Sequence, residues 1–231
     1  MGYNSNHSTS KEIRERQKQE RLGEERLNNQ GCLMKIIEYD KTHNILVEFQ
    51  DKYKCRVVTR YSEFAKGGVR NPYHPNVFGG MIGNKYPAKV NGKTTKEYST
   101  WHNMLEKCAN NNEYTICKEW LFYENFYEWL HEQENFDKWY VGTRWNLCNS
   151  IVDGNKEYIP EMCYLIPYNL KQLLEKLNIV ADDLPEYLIQ KHEKFTGFKI
   201  KQVAKEELAK GNITSECYKA IIKRLTKKLN S

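Results

Sequence analysis

The segment from Trp145 to Asn169 constrains the fold of this chain more than any other stretch. Trp145-Asn146-Leu147-Cys148 predicts a short strand, Gly154-Asn155 a tight loop, and Pro167-Tyr168-Asn169 the beginning of a helix that carries an asparagine. The three pieces have the layout of a small α/β site. The acidic or histidine side chains that the chemistry of such a site would need are missing, because the end of the strand carries Cys148, Asn149 and Ser150.

Two helices are expected before this segment, over Trp101 to Cys108 and over Lys118 to Glu132. Their tryptophans, phenylalanine and leucines recur at helical spacing, so we expect these side chains to form the core that supports the site. His102 and His131 are isolated histidines near the apolar faces, and a surface or structural role is expected for them rather than metal binding.

Three short β-rich runs cover Met34 to Tyr39, Ile45 to Phe49 and Arg56 to Tyr61, and three consecutive meander strands predict a small barrel of the SH3-like type. Cations supply phosphate affinity and exposed rings supply stacking surfaces, so we expect this region to bind nucleic acid. In the alternative reading the rings face the core and the lysines keep the edge strand soluble. The candidate contacts are Lys52, Lys54, Arg56, Arg60, Lys66, Arg70 and Tyr73.

The charge of the chain is divided into zones, although the net charge of +6 is modest. Residues 51–96 hold 10 basic against 2 acidic side chains, residues 97–163 hold 5 against 12, and residues 164–231 hold 13 against 8. The basic zone continues through a connector from Val77 to Lys96, where Asn91-Gly92 predicts a hairpin turn. This connector is expected either to track a phosphate backbone or to be an ordinary link, and its candidate contacts are Lys85, Lys89, Lys93 and Lys96.

The two ends of the chain predict helix. Ser10 to Asn28 alternates basic residues and glutamates at helical spacings, with Ser10 as a candidate cap, and predicts a charged arm that is either simply solvated or ordered by a partner. The tail predicts helices over Leu170 to Leu177, Leu184 to Lys194, and Ile200 to Leu229 with a break at Gly211-Asn212, where Thr214 or Ser215 caps the last part. That last helix suits nucleic acid or an acidic protein surface, or is a solvated terminal helix, and carries Lys219, Lys223, Arg224, Lys227 and Lys228.

Composition excludes several classes of protein. The charged N-terminus does not resemble a signal peptide, and no apolar run approaches the roughly 20 residues of a membrane span, so we expect no membrane partner. Seven scattered cysteines without a C-x-x-C pair predict reduced thiols in a cytoplasm rather than disulfides or a structural zinc. We expect no cofactor.

Residues 145–169 resemble the HNH-type endonucleases of bacteriophages, in the branch that reads W-x-V-D-K-D-I, then G-N-K-x-Y-S-P-E-T-C, then V-P-x-x-I-N. The likeness runs from about Arg21 to Asn169. Many relatives continue beyond it into a strand-rich DNA-binding domain of the AP2 kind, whereas this tail predicts helix. Further matches are Gly23-Glu24-Glu25, Asn28 to Cys32, Val47 to Asp51, Asn71 to Pro75, Trp101 to Leu105 and Cys117 to Trp120.

The resemblance also implies a defect in the site. Two acids flank the lysine of the D-K-D-I segment in the relatives, and the aligned positions here are Cys148 and Ser150. Magnesium prefers carboxylate oxygens, so neither side chain can replace them. Asp153 is the one nearby carboxylate, and a shift of the shortened loop is the route by which it would substitute.

The predicted architecture is α+β, with five regions: a charged helical arm (1–31), a small SH3-like β-barrel (32–76), a basic connector (77–98), a degenerate HNH-like α/β module (99–169) and a basic helical tail (170–231). The leading hypothesis is a phage-encoded, non-catalytic protein that binds RNA or DNA in the cytoplasm of a bacterial host, with a slight preference for RNA or single strands because 13% of the residues are aromatic. By analogy with other repurposed phage genes, it would inhibit a host defence ribonucleoprotein such as a CRISPR effector.

Two alternatives remain open. One is an active metal-dependent HNH nicking or homing endonuclease that uses Asp153. The other is a protein-binding inhibitor that mimics nucleic acid with the acidic module, through Glu119, Glu124, Glu128, Glu132 and Glu134.

Overall fold

The computed structural model describes residues 9–149, 151, 156–177 and 186–229. It is a mixed α and β structure with small sheets, as the α+β prediction requires. The chain forms two compact units. The first contains the residues up to Asn76 together with Met81–Asn84, and the second contains Val77–Gly80 together with the residues from Lys85 onwards.

The first unit is built on a four-stranded antiparallel sheet whose strands are adjacent in chain order: β1 (Glu25–Leu27), β2 (Leu33–Lys41), β3 (Asn44–Phe49) and β4 (Arg56–Thr59). Alternate residues of the two central strands face the core, including Met34, Ile36, Ile45 and Val47. The sheet does not close on itself within the described residues, so the barrel prediction was wrong in this respect.

The predicted arm is a helix, α1 (Ser10–Arg21), that packs against β2. Thr9 rather than Ser10 caps it, because the Thr9 hydroxyl accepts from the Glu12 backbone while the Glu12 carboxylate accepts from the Thr9 backbone. The segment that follows turns into β1, which the alternating charges did not predict. A short helix, α2 (Tyr61–Ala65), follows β4 and buries Phe64 in the core of this unit.

The second unit begins with the predicted hairpin, formed by β5 (Lys89–Val90) and β6 (Lys93–Thr94). Asn91 and Gly92 both have positive φ, 50° and 76°, as the predicted Asn-Gly turn requires. Three helices follow, and the predicted helix over 118–132 is divided by an extended residue, Phe122, between a 3₁₀ turn and a helix. The helices are α3 (Lys96–Asn110), α4 (Tyr123–His131) and α5 (Phe136–Val141).

A small β-sheet and a helix complete the central part of this unit. Strands β8 (Trp145–Cys148) and β10 (Tyr164–Pro167) are antiparallel, and α6 (Tyr168–Lys176) follows β10 directly. Strands β7 (Thr115–Ile116) and β9 (Glu157–Tyr158) form a separate parallel pair.

The tail consists of α7 (Glu186–Ala209) and α8 (Ser215–Leu229). The predicted break at Gly211-Asn212 is confirmed, and Thr214 caps α8, with its hydroxyl accepting from the Cys217 backbone at 3.0 Å. The predicted gap between Lys194 and Ile200 does not exist, because α7 continues through Gly197, which is buried.

The tail shares one hydrophobic core with the β8–β10–α6 unit. Cys148, Ile166 and Leu170 lie in the same cluster as Ile200 and Ile221. The ammonium group of Lys138 in α5 also donates to the carbonyl of Gly211 between α7 and α8. The tail is therefore part of the second unit.

All seven cysteines lie in the described part of the chain and are free thiols. No helix within the described ranges is both long and apolar enough to cross a membrane.

Candidate nucleic-acid interface

The β8–β10–α6 unit places a strand, its antiparallel partner and a helix start around one cleft. Trp145 pairs with Pro167 and Cys148 with Tyr164 across the two strands. The backbone N–H of Tyr168 donates to the carbonyl of Arg144 at 2.9 Å, which fixes the first residue of α6 against the residue before β8. Residues distant in the sequence are thereby held next to each other.

This β8 cleft has a volume of about 910 Å³. None of its described lining residues is acidic. The Arg144 side chain is exposed and forms no hydrogen bond or ion pair with any described residue. The described lining consists of Thr143, Arg144, Trp145, Asn146, Pro167, Tyr168, Asn169, Gln172 and Asn212.

Two aromatic rings in the cleft are held in position by neighbouring groups. The Tyr168 hydroxyl accepts from Gln172 Nε2 at 2.8 Å, and 44% of Tyr168 remains exposed. The Trp145 indole lies against Gly142, where an added Cβ would be 2.5 Å from Trp145 Cδ1 and 2.5 Å from the Lys138 carbonyl oxygen. Glycine at 142 is therefore required for the close approach of this indole.

Trp145 and Asn146 also line a smaller cavity of about 230 Å³ that contains three lysines. Each lysine already has a partner. Lys96 binds backbone carbonyls, Lys107 Nζ lies 3.8 Å from the centre of the Tyr114 ring, and Lys171 pairs with Glu175 at 3.1 Å. These cations are less available to a ligand than Arg144.

Cys148 and Asn149, at the end of β8, are both buried. Cys148 is buried in the core, with 1% of its surface exposed. Asn149 is 6% exposed, and its amide nitrogen has no hydrogen-bond partner among the residues that the structure describes. Ser150 and Asp153 lie outside the described residues, and the Asp153 alternative stays a prediction. Within the described ranges, no group of three or more histidine, cysteine or acidic side chains is arranged to hold a metal ion.

In the first unit, the structure brings some predicted contact residues together. Lys52 Nζ lies 4.9 Å from the centre of the Tyr53 ring, and that ring stacks on Tyr73 at 4.5 Å. Arg60 and Arg70 are exposed and have no partner among the described residues. This part of the predicted surface remains accessible to phosphate.

Other predicted contacts in the first unit are engaged within the protein. Arg56 Nε donates to Glu48 at 2.9 Å, and this hydrogen bond is the main cause that lowers the pKa of Glu48. Lys66 pairs with Glu63 at 2.8 Å, and Lys54 Nζ donates to the Gln50 side chain at 2.9 Å.

The predicted cations of the connector likewise include some that are exposed without a partner among the described residues and some that are engaged within the protein. Lys89 and Lys93 are exposed on the hairpin, without a partner in the described ranges. Lys85 pairs with Glu128, and this hydrogen bond is the main cause that raises the pKa of Lys85. The ammonium group of Lys96 donates to the carbonyls of Trp139, Tyr140 and Gly142 at the end of α5, so Lys96 has a structural role. Burial lowers the pKa of Lys96.

The predicted basic face of the terminal helix is only partly accessible. Lys219, Lys223 and Lys227 are exposed. Arg224 is 4% exposed, so its inclusion among the surface contacts was wrong. Lys228 Nζ pairs with Glu193 of α7 at 3.1 Å.

The two histidines occupy structural positions. His131 Nε2 lies 3.4 Å from the buried carboxylate of Glu97, and its ring stacks on Tyr127. His102 contacts the rings of Phe78 and Tyr98.

The β8 cleft was not among the sites predicted from the sequence. Arg144 immediately precedes the segment Trp145–Asn169 and Tyr168 lies near its end. Both are residue types suited to nucleic acid, but only the pairing of β8 with β10 brings them together. The adjacent Arg144-Trp145 pair was the available local signal.

Comparison with protein-family models, with curated proteins and with solved structures found no match to this chain. The likeness to HNH-type nucleases therefore rests on the sequence motifs quoted above.

Proposed function

We propose that this protein is a divergent, phage-encoded relative of the HNH-type endonucleases that binds nucleic acid without cleaving it. The β8–β10–α6 unit would be the remnant of the nuclease motif. The observation that carries the proposal is the β8 cleft, whose described lining combines a free arginine, two aromatic rings and several amides with no carboxylate.

Each group in the cleft suits one part of a nucleotide. The guanidinium group of Arg144 matches a phosphate through two parallel hydrogen bonds. The rings of Trp145 and Tyr168 offer faces on which bases stack. Side-chain amides such as Asn146 and Asn169 can donate to and accept from base edges.

The absence of cleavage follows from the position of Cys148. A hydrolytic HNH site needs a divalent ion held by acids or histidines and a base that activates water. Cys148 lies in the hydrophobic core, and a thiol there offers the ion no hard oxygen ligand. The runner-up function, a metal-dependent nicking endonuclease that uses Asp153, is the outcome of the tests below if strands are cut.

Exposed cations outside the cleft support the same function. Each unpaired Lys or Arg on the surface adds phosphate affinity without sequence preference. Among the contacts predicted from the sequence, the exposed Lys and Arg side chains with no partner among the described residues are Arg60, Arg70, Lys89, Lys93, Lys219, Lys223 and Lys227.

The biological role that we propose is inhibition of a host defence ribonucleoprotein, such as a CRISPR effector, in the cytoplasm of a bacterial host. This step rests on analogy with the reuse of phage genes. Mimicry of nucleic acid by the acidic module has less support, because Glu124 and Glu128 already bind Lys85 of the same unit.

The proposal is tested by fluorescence anisotropy with labelled dT20, rU20 and a duplex of equal length, at several salt concentrations. We expect binding at about 50 mM salt, and Arg144→Glu should weaken it about tenfold or more. Lys118→Glu is the matched control, because Lys118 is exposed in the same unit and away from the cleft. Equal affinities of Arg144→Glu and the wild type would contradict the proposal. Mimicry of nucleic acid would be favoured by a different result in an assay of a host defence ribonucleoprotein. Inhibition of that complex would then be lost in the double variant Glu119→Gln/Glu132→Gln and kept in Arg144→Glu.

A further inference from the structure

The outer face of α7 carries aromatic side chains that the proposed function does not use. Tyr187, Phe195 and Phe198 are 69%, 59% and 68% exposed. All eight phenylalanines of the chain lie in described positions, and Phe195 and Phe198 are the two that are exposed. Large rings grouped on one exposed face mark an interaction site more often than isolated exposed residues do.

Lysines are interleaved with these rings. At 3.6 residues per turn, Lys191, Lys194 and Lys205 and the three aromatic residues all project into one sector, roughly 100° wide, around the helix axis. These lysines are exposed and have no ion pair with any described residue. We call this sector the α7 face. The acidic residue of α7 nearest to it is the exposed Glu206, which projects about 20° beyond Phe195 at the edge of the sector.

The opposite side of α7 is the side that packs in the protein. Ile200 and Ala204 lie in the same hydrophobic core as residues of α6 and α8, and Thr196 is also buried. The ion pair between Lys228 and Glu193 also lies away from the α7 face, because Glu193 projects from the opposite half of the helix. The aromatic rings are therefore not needed to complete the core that the described residues form.

We infer that the α7 face is a platform for an unpaired nucleic-acid strand. This inference rests on the proposed function and adds the class of ligand. Rings stack on bases only where the bases are not enclosed in a duplex, and lysines between the rings suit the phosphates that separate successive bases. A strand on α7 would be bound by charge and stacking, without sequence preference.

The arrangement suits a strand better than a lipid surface. A helix that lies in a membrane interface presents a continuous apolar face with its cations towards the polar side. On the α7 face the rings are separated by lysines, and the aliphatic residues Ile200 and Ala204 point inwards. Apolar surface is thus discontinuous where a membrane would require it.

The test compares Tyr187→Ala/Phe195→Ala/Phe198→Ala with the wild type for binding to labelled dT20 and to a dT20·dA20 duplex. We expect the triple variant to lose about tenfold or more in affinity for dT20 and to keep its duplex affinity within about twofold. Tyr140→Ala is the matched control, because Tyr140 is an exposed aromatic residue, 51% exposed, on another helix. Replacement of both phenylalanines by tyrosine keeps the rings and should preserve the affinity for dT20.

A second variant, Lys191→Ala/Lys194→Ala/Lys205→Ala, leaves the rings in place and does not depend on the folding of the aromatic variant. It should lower the salt slope of dT20 binding by about 0.7 for each lost phosphate contact. Wild-type affinity of both triple variants for dT20 would overturn the platform alone, whereas failure of the wild type to bind dT20 and duplex would overturn the proposed function as well. Binding of the wild type to phosphatidylglycerol vesicles but not to dT20 would overturn the inference in favour of a membrane.

Discussion

Cys148 of β8 is buried in the same hydrophobic core as Cys217 of α8. Each side chain is 1% exposed. Cys148, where the proposed likeness to HNH-type nucleases would place a catalytic acid, is thus covered by the helical tail. Packing of the tail on position 148 is consistent with the uncharged side chain there, because a charge at this position would be strongly disfavoured.

Introduction of a carboxylate at position 148 tests this relationship. Cys148→Asp should lower the free energy of unfolding at neutral pH by about 3 kcal/mol or more, because the charge would be buried without a partner. Burial raises the pKa of such a carboxyl in the folded state, so the loss should shrink as the pH falls through that pKa and the group becomes neutral. Urea denaturation at two pH values measures both effects, with Cys148→Ala as the control for lost packing. An aspartate variant as stable as the alanine variant at neutral pH would show that position 148 is accessible to solvent.

Lys93 and Lys96 lie close together in the sequence, but we expect Lys93 to contact phosphate and Lys96 to stabilise the fold. Lys96→Ala removes the donor to the carbonyls of Tyr140 and Gly142, and we expect it to lower the free energy of unfolding by about 1 to 2 kcal/mol and to leave the salt slope unchanged. Lys93→Ala should change stability by less than about 0.5 kcal/mol and should reduce the salt slope if Lys93 contacts phosphate. Denaturation and salt titration of the two variants decide the question. A reduced salt slope with unchanged stability for Lys96→Ala would show that Lys96 contacts nucleic acid instead of having a structural role.

Gly142→Ala should disturb the β8 cleft without altering any residue that lines it. The added Cβ would overlap the Trp145 indole and the Lys138 carbonyl, so the indole must move. We expect a loss of about 1 to 3 kcal/mol in stability and weaker binding of dT20. The measurements are the urea midpoint and anisotropy, and a variant with wild-type values for both would place the indole elsewhere.

The seven thiols should differ in reactivity towards a thiol reagent. Cys55, Cys148, Cys163 and Cys217 are buried and should react only on unfolding. Burial raises the pKa of Cys108 to about 11, so its reaction should be slow at pH 7 and should accelerate about tenfold per pH unit as the thiolate forms. Cys32, half-buried beside His74, should react first. Mass spectrometry after brief labelling identifies the order, and faster labelling of Cys163 than of Cys32 in the folded protein would contradict it.

Local patterns predicted the elements whose geometry depends on nearby residues. The Asn91-Gly92 turn and the α7–α8 break near Gly211 have positive φ values that glycine permits. The helix through Gly197 was missed because its stability comes from burial against other helices rather than from its own residues.

The features that the sequence did not predict depend on contacts between residues that are far apart in the sequence. Closure of the barrel would have required pairing between edge strands, which local β propensity does not determine. Likewise, the burial of Cys148 depends on α8, and the β8 cleft depends on the approach of Tyr168 to Arg144, so neither could be predicted from the segment around β8 alone.

The central claim is that the protein holds nucleic acid and leaves it intact. An end-labelled single strand is incubated with the protein and Mg²⁺ or Mn²⁺, and each sample is divided between a native gel, which measures binding, and a denaturing gel, which measures strand length. We predict a retarded complex whose strand has its full length with either metal. A shortened strand that requires the metal and disappears in Asp153→Ala would contradict the account and establish the protein as a working nuclease.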